Sequence, residues 1–208
     1  MKRLYLLRHG QTEFNVKMLV QGRCDSPLTD LGRKQAGMAA AWLKANGVVP
    51  DKVVSSPLGR AMATASLVAT ELLGAEADVE PCEGIIERCY GTFEEGPHDA
   101  LPTDVWDPGE DLIPFGGEGS HALQERMVDT LTNIMGADGI ETLLAVSHGS
   151  ASRQFIKAAA PEGFELPAKL SNCAIMIFDF DEQKPQAEGE PSQCKFTLQQ
   201  IVDPQQSY

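Results

Sequence analysis

Apolar positions along this chain fall into two alternating periods. Leu4-Tyr5-Leu6-Leu7 is an unbroken apolar run between charged residues. That is the pattern of a strand covered on both faces, and it predicts a strand over 2–8. Residues 52–55 and 142–147 repeat it, and the second run is apolar enough for a central, parallel strand. A weak strand is predicted at 77–80 and two later ones at 174–180 and 196–202, the last pair joined by the polar, proline-containing loop 181–194. Helical periods lie between these runs. Thr29 predicts an N-cap for a helix reaching about Asn46, with Gly47 beyond its end and Leu31, Ala36, Ala39, Trp42 and Leu43 as core-facing candidates. Ser56 predicts the next cap, with Pro57 at the first position and a helix running from Leu58 to Leu73 before Gly74. Further helices are predicted over 120–135, stopped by Gly136, and over 150–159. Strands alternating with helices predict an α/β fold: a three-layer α/β/α sandwich with a mostly parallel central sheet, folded as one domain over 1–208.

Residues 81–118 break the alternation. Pro81, Pro97, Pro102, Pro108 and Pro114 punctuate them, and no period is sustained. Ile85, Ile86, Phe93, Trp106, Leu112, Ile113 and Phe115 are too many apolar residues for a disordered linker. The stretch is predicted to be a lid or substrate-binding insertion with a short helix near 98–106.

Charge narrows the function classes. The chain has 208 residues, with 17 basic and 30 acidic side chains and a formal net charge of −13. That balance argues against nucleic-acid and anionic-membrane partners, which need basic surfaces. No run approaches the roughly 18–20 apolar residues of a membrane span. The basic-then-apolar start is cut at Arg8, too soon for a secretory signal, so a cytoplasmic protein is expected. Five cysteines at 24, 82, 89, 173 and 194 show no C-x-x-C spacing and read as reduced thiols.

Chemistry concentrates at three strand ends. The first strand ends at Arg8-His9-Gly10, the 52–55 strand is followed within one turn by Arg60, and the 142–147 strand ends at His148. If these strands are parallel neighbours, two arginines and two histidines meet at one sheet edge, where open α/β sheets bind ligands. Helix N-termini there would add N–H donors. An imidazole beside fixed cations, with Gly10 permitting close backbone approach, suits phosphoryl transfer by a nucleophilic His9. The two histidines lack a metal-ligand spacing such as H-E-x-x-H, so neither metal nor other cofactor is expected.

The chain also resembles the histidine phosphatase superfamily, the phosphoglycerate mutase-like proteins. The likeness is carried by Arg8-His9-Gly10 with Thr12 and Asn15, by Gln21-Gly22-Arg23, by Asp25 through Gly32, and by Ser55-Ser56-Pro57-Leu58-Gly59-Arg60-Ala61 with Thr64. Glu87-Arg88-Cys89-Tyr90-Gly91, Gly116-Gly117-Glu118 and Val146-Ser147-His148-Gly149 complete it. The resemblance implies that His9 becomes a phosphohistidine. Arg8, Arg60 and His148 would hold the phosphoryl oxygens, with Asn15 and Arg23 as further contributors. Glu87 would act as proton donor and then as base, unless it is only a loop carboxylate paired to Arg88. Gln21, Gly22, Arg88 and Gly149, from the same blocks, are expected at the phosphate pocket. Two departures stand out: Gly119 follows Gly-Gly-Glu where the family has serine, and Gly91-Thr92-Phe93-Glu94-Glu95-Gly96 carries one extra residue.

Lid charge separates the reactions this family performs. Residues 89–125 contain nine acidic side chains and no lysine or arginine. A mutase must hold a bisphosphate, and an acidic lid would repel the second phosphoryl group. The expectation is therefore a phosphatase for a small phosphorylated metabolite whose leaving group is neutral, cationic or partly apolar. Cofactor-dependent mutase chemistry and a non-catalytic phospho-ligand-binding module are the alternatives. A homodimer stays open.

Overall fold

The computed structural model describes residues 1–183 and 194–206, so residues 184–193 of the predicted connecting loop lie outside the described residues. Six strands form one sheet: β1 (Lys2–Arg8), β2 (Lys52–Ser55), β3 (Glu80–Pro81), β4 (Thr142–Ser147), β5 (Ile175–Phe180) and β6 (Phe196–Val202). Their order is β3-β2-β4-β1-β5-β6. β1, β4, β2 and β3 run parallel, β5 is antiparallel to β1, and β6 is antiparallel to β5. In register, Arg8 sits beside Ser147 and Ser55 beside Val146, so three strands end level with one another.

Alternation along the strands builds two cores. Leu4 and Leu6 of β1, with Leu143 and Ala145 of β4, pack against α4 (Ser120–Met135) and α5 (Gly149–Ala159). Tyr5 and Leu7, with Leu144 and Val146, pack against α2 (Asp30–Ala45) and α3 (Gly59–Leu73). Both faces of the central strands are thereby covered, which is why their sequence reads as continuous apolar runs. The remaining α-helix, α1, is the short segment Glu13–Lys17. No helix among the described residues is long and apolar enough to cross a membrane.

Local differences from the sequence expectation have identifiable causes. Helix α2 is capped by Thr29 as predicted, but Leu31 is 47% exposed; Ala36, Ala39, Ala40 and Leu43 form the buried face. Leu31 lies in the first turn, on the side facing away from the sheet. α3 begins at Gly59, not at Pro57, and Leu58 occupies its N-cap without a side-chain cap bond. Ser56 lies two residues before that cap, where its hydroxyl bonds His148 Nε2 at 2.7 Å and reaches only Leu58 N–H, at 3.4 Å. The helix predicted near 98–106 is only a 3₁₀ turn, His98–Ala100, and the strand predicted at 77–80 shrinks to Glu80–Pro81.

The lid has a core of its own, in which Val20 joins Tyr90, Leu101 and Leu112. Arg88 fastens it to the sandwich. Its buried guanidinium donates to Ser150 Oγ (2.9 Å), Ser120 Oγ (2.8 Å) and the Glu118 carbonyl (2.7 Å). Glu94 forms a second clamp, accepting from the backbone N–H groups of Tyr90, Arg23 and Cys24. Within this segment Glu95 takes a left-handed conformation with φ 65°.

Candidate active site

The level strand ends deliver their charged residues into one crevice. His9 follows β1, Arg60 lies in the first turn of α3, and His148 is the N-cap of α5. All four groups, Arg8 included, are buried. His9 Nδ1 is 2.7 Å from the Gly10 carbonyl. A carbonyl can only accept, so Nδ1 carries the proton and Nε2 keeps its lone pair. Burial pushes the His9 imidazolium well below the usual 6.5, and the charges of Arg60 and Arg8 push it further. The ring is therefore a neutral base with a free nitrogen.

His148 packs edge-on against His9, ring centres 5.1 Å apart. His148 Nε2 lies 2.7 Å from Ser56 Oγ, which also accepts weakly from Leu58 N–H at 3.4 Å; a hydroxyl can donate or accept, so the roles follow the tautomer of the ring. His148 Nδ1 is buried without a partner, and a bound anion would select the tautomer in which Ser56 donates to Nε2 and Nδ1 carries the proton. Burial first, and then the positive charge of Arg60, hold this imidazole neutral as well. Arg8 Nε and Arg60 Nε are likewise buried and unpartnered. An unmet buried donor costs about 1–3 kcal/mol, and three in one crevice are what an anion would satisfy.

The remaining bonds of the two arginines fix their position. Arg60 donates from Nη1 to the Cys24 carbonyl (2.7 Å) and Asp25 Oδ1 (3.1 Å), and from Nη2 to the Gly22 carbonyl (2.7 Å). Arg8 donates to the Leu170 carbonyl and lies 5.0 Å from the centre of the Trp106 ring. Burial lowers its pKa to about 10, still cationic at neutral pH.

A cleft opens over Arg8, His9 and Arg60, while the fully buried His148 packs on His9 and is not among the lining residues. Of the residues predicted from sequence, Arg8, His9, Asn15, Gln21, Arg60, Glu87 and Gly149 line it. Asn15 Oδ1 accepts from Thr12 N–H, and Gln21 Oε1 from the Thr12 hydroxyl, which leaves both amide –NH₂ groups for the cleft. Glu87 is not paired to the Arg88 side chain. Its Oε1 accepts from the N–H groups of Arg88 and Ala151 at 2.8 Å, and its Oε2 from Ser150 N–H at 3.2 Å. Some of the N–H donors expected from helix ends are thus occupied: those of Ser150 and Ala151 in α5 by Glu87, and that of Arg60 in α3 by Asp25.

Four expectations require correction. Arg88 does not reach the cleft, because its guanidinium is spent anchoring the lid. Arg23 is also outside; its side chain is 45% exposed and pairs with Glu118 at 3.6 Å. Gly22 contributes its carbonyl to Arg60 and does not line the cleft. Gly10 serves packing and not phosphate approach, since a Cβ there would sit 2.5 Å from the Gly32 carbonyl oxygen. The acidic-lid expectation also changes. None of the nine acidic residues in 89–125 lines the cleft, where Glu87 is the only carboxylate among the described residues, whereas Lys169 does line it.

Sequence reasoning missed Asn172 and Lys169, both in the irregular segment after α5. Asn172 Nδ2 donates to the His9 carbonyl (3.1 Å) and to Asn15 Oδ1 (3.2 Å), tying two cleft residues together. No motif marks that segment. Ser56 was visible as a helix cap and within the Ser55–Ala61 block, but its bond to His148 was not.

Gly149 explains how Trp106 reaches the site. A Cβ on Gly149 would lie 2.6 Å from Trp106 Cζ3 and 3.4 Å from Arg8 Nε. Gly149→Ala is expected to displace the indole and lower kcat/KM for an aryl phosphate about tenfold or more, because Trp106 helps position Arg8. In a Trp106→Ala background the same change should add little further loss. Equal losses in both backgrounds would show that Trp106 is not the residue through which Gly149 acts.

Comparison with known proteins follows the same lines. The family model of the histidine phosphatase superfamily (branch 1) matches residues 4–190. A probable phosphoglycerate mutase of Proteus mirabilis is 32% identical over 198 residues, covering 91% of this chain and 90% of that one. A broad-specificity phosphatase of Saccharomyces cerevisiae is 29% identical, covering 88% and 82%. The solved structure of an Entamoeba histolytica phosphoserine phosphatase mutant in complex with phosphoserine superposes with a TM-score of 0.73 at 26% identity, covering 99% and 98%. Sheet order, the convergent Arg8, His9, Arg60 and His148, and the match over most of the length lead to one assignment: this chain belongs to the histidine phosphatase superfamily.

Proposed function

We propose that the protein is a phosphatase for a small phosphomonoester and works through a phosphohistidine on His9. One observation carries this reading: the free Nε2 of a neutral, buried His9 sits among three buried N–H donors that lack partners. His9 Nε2 attacks phosphorus, and the bond from phosphorus to the ester oxygen breaks. Arg8, Arg60 and His148 Nδ1–H stabilise the charge on the non-bridging oxygens. Glu87 gives the departing oxygen its proton. Oε2 is suited to carry it, since its single bond is the longer one to Ser150 N–H. A water then attacks the phosphohistidine, Glu87 takes its proton, and orthophosphate leaves with His9 restored.

Phosphatase names among the relatives support hydrolysis, and a mutase name among them keeps phosphoryl transfer in view. The two are separated by measuring orthophosphate with and without a diphosphorylated primer. Hydrolysis should release one orthophosphate per alcohol formed, with no stimulation by the primer. Isomerisation of a phosphoester without phosphate release, dependent on the primer, would overturn the proposal in favour of a mutase.

A further inference from the structure

We infer that the non-phosphoryl half of the substrate carries a single carboxylate and that Lys169 receives it at the mouth of the cleft. This rests on reading the cleft as a phosphomonoester site. Lys169 lines the same cleft as His9, and its Nζ lies 5.8 Å from the centre of the Trp106 ring. Arg8 lies against that same indole. Trp106 therefore connects the phosphoryl end of the cleft to the lysine, and Met18, Leu19 and Val105 provide an apolar wall suited to a short carbon chain.

The lysine forms no ion pair among the described residues, whereas Lys157 holds Asp107, the residue next to Trp106. That is notable in a chain with 30 acidic and 17 basic residues. Among the described residues the one carboxylate lining the cleft, Glu87, is already held by three backbone N–H groups. His98, also on the cleft, adds no second charge: burial lowers its pKa, Lys169 lowers it further, and its Nε2–H is donated to the Leu19 carbonyl at 3.2 Å. One cation beside an apolar wall matches one negative charge. A second phosphoryl group, with about two charges, would leave most of its charge unpaired here.

The test reads binding, so it does not depend on turnover. Wild-type protein is titrated with 4-phosphonobutanoate, with its carboxamide 4-phosphonobutanamide, and with butane-1,4-bisphosphonate. The carboxylate is expected to bind about tenfold more tightly than the amide at low salt, and less so at high salt, because the lysine is solvent-accessible. Lys169→Met should bring that ratio to about one, and Lys169→Arg should retain most of it. A wild-type ratio near one, a ratio unchanged in Lys169→Met, binding of neither monophosphonate, or a bisphosphonate bound more than tenfold tighter than the carboxylate would overturn the inference. Orthophosphate release from p-nitrophenyl phosphate is measured separately. Its absence, with the binding ratio intact, would remove the phosphatase reading and leave the carboxylate site standing.

Discussion

Replacing His9 by alanine is expected to lower kcat/KM for p-nitrophenyl phosphate by about four orders of magnitude or more, the scale seen when a covalent nucleophile is removed. The size follows from the geometry. His9 Nδ1–H is committed to the Gly10 carbonyl, so Nε2 is the free nitrogen, whereas His148 Nε2 is occupied by Ser56 Oγ. With an anion in the cleft, His148 serves as a donor from Nδ1 and does not take the place of His9. Water could still use the anion site of Arg8, Arg60 and His148, which sets a low but finite residual rate. Wild-type protein quenched within the first turnover at alkaline pH should carry phosphate on the peptide containing His9. Activity of the alanine variant within tenfold of wild type would refute a nucleophilic His9. An active wild-type enzyme without the adduct would point to direct attack by water.

Parts of this site were legible in the sequence because they depend on backbone periodicity. β1 and β4 are covered on both faces, so their apolar runs end abruptly at Arg8-His9 and His148, and adjacency in the sheet does the rest. What could not be read was side-chain direction. Arg60 and Arg88 are both arginines in matched motifs, yet one lines the cleft and the other turns to Ser150 and Ser120 to hold the lid. The tally of lid acids had the same weakness. Glu94 is bonded to backbone N–H groups, Asp107 to Lys157 and Glu118 to Arg126, and none of the nine lid carboxylates lines the cleft. Lys169 and Asn172 come from a segment without regular period, placed only by tertiary contacts such as the bond from Asn172 to the His9 carbonyl.

Arg60→Gln is expected to lower kcat/KM about 10²- to 10³-fold, the usual cost of removing one preorganised donor to a developing anion, and also to move the acid limb of its pH profile. The sign follows from the charges. His9 must be neutral to attack, and its pKa lies well below 6.5 through burial first and then through the positive charges of Arg60 and Arg8. In the wild type the nucleophile therefore stays unprotonated to well below pH 6.5. Glutamine removes the stronger of the two charge effects, the His9 pKa rises toward its ordinary value, and activity is lost at a higher pH on acidification. Arg60→Lys separates charge from geometry: it loses the fork that grips the Gly22 and Cys24 carbonyls, yet keeps the positive charge. Its rate should fall, and its acid limb should stay close to that of wild type. The substrate's second ionisation, near pH 6, is common to all three proteins, so only the difference between profiles is diagnostic. An acid limb that coincides in wild type, Arg60→Gln and Arg60→Lys would mean that Arg60 does not set the ionisation of His9, and that its contribution is confined to holding the phosphoryl oxygens.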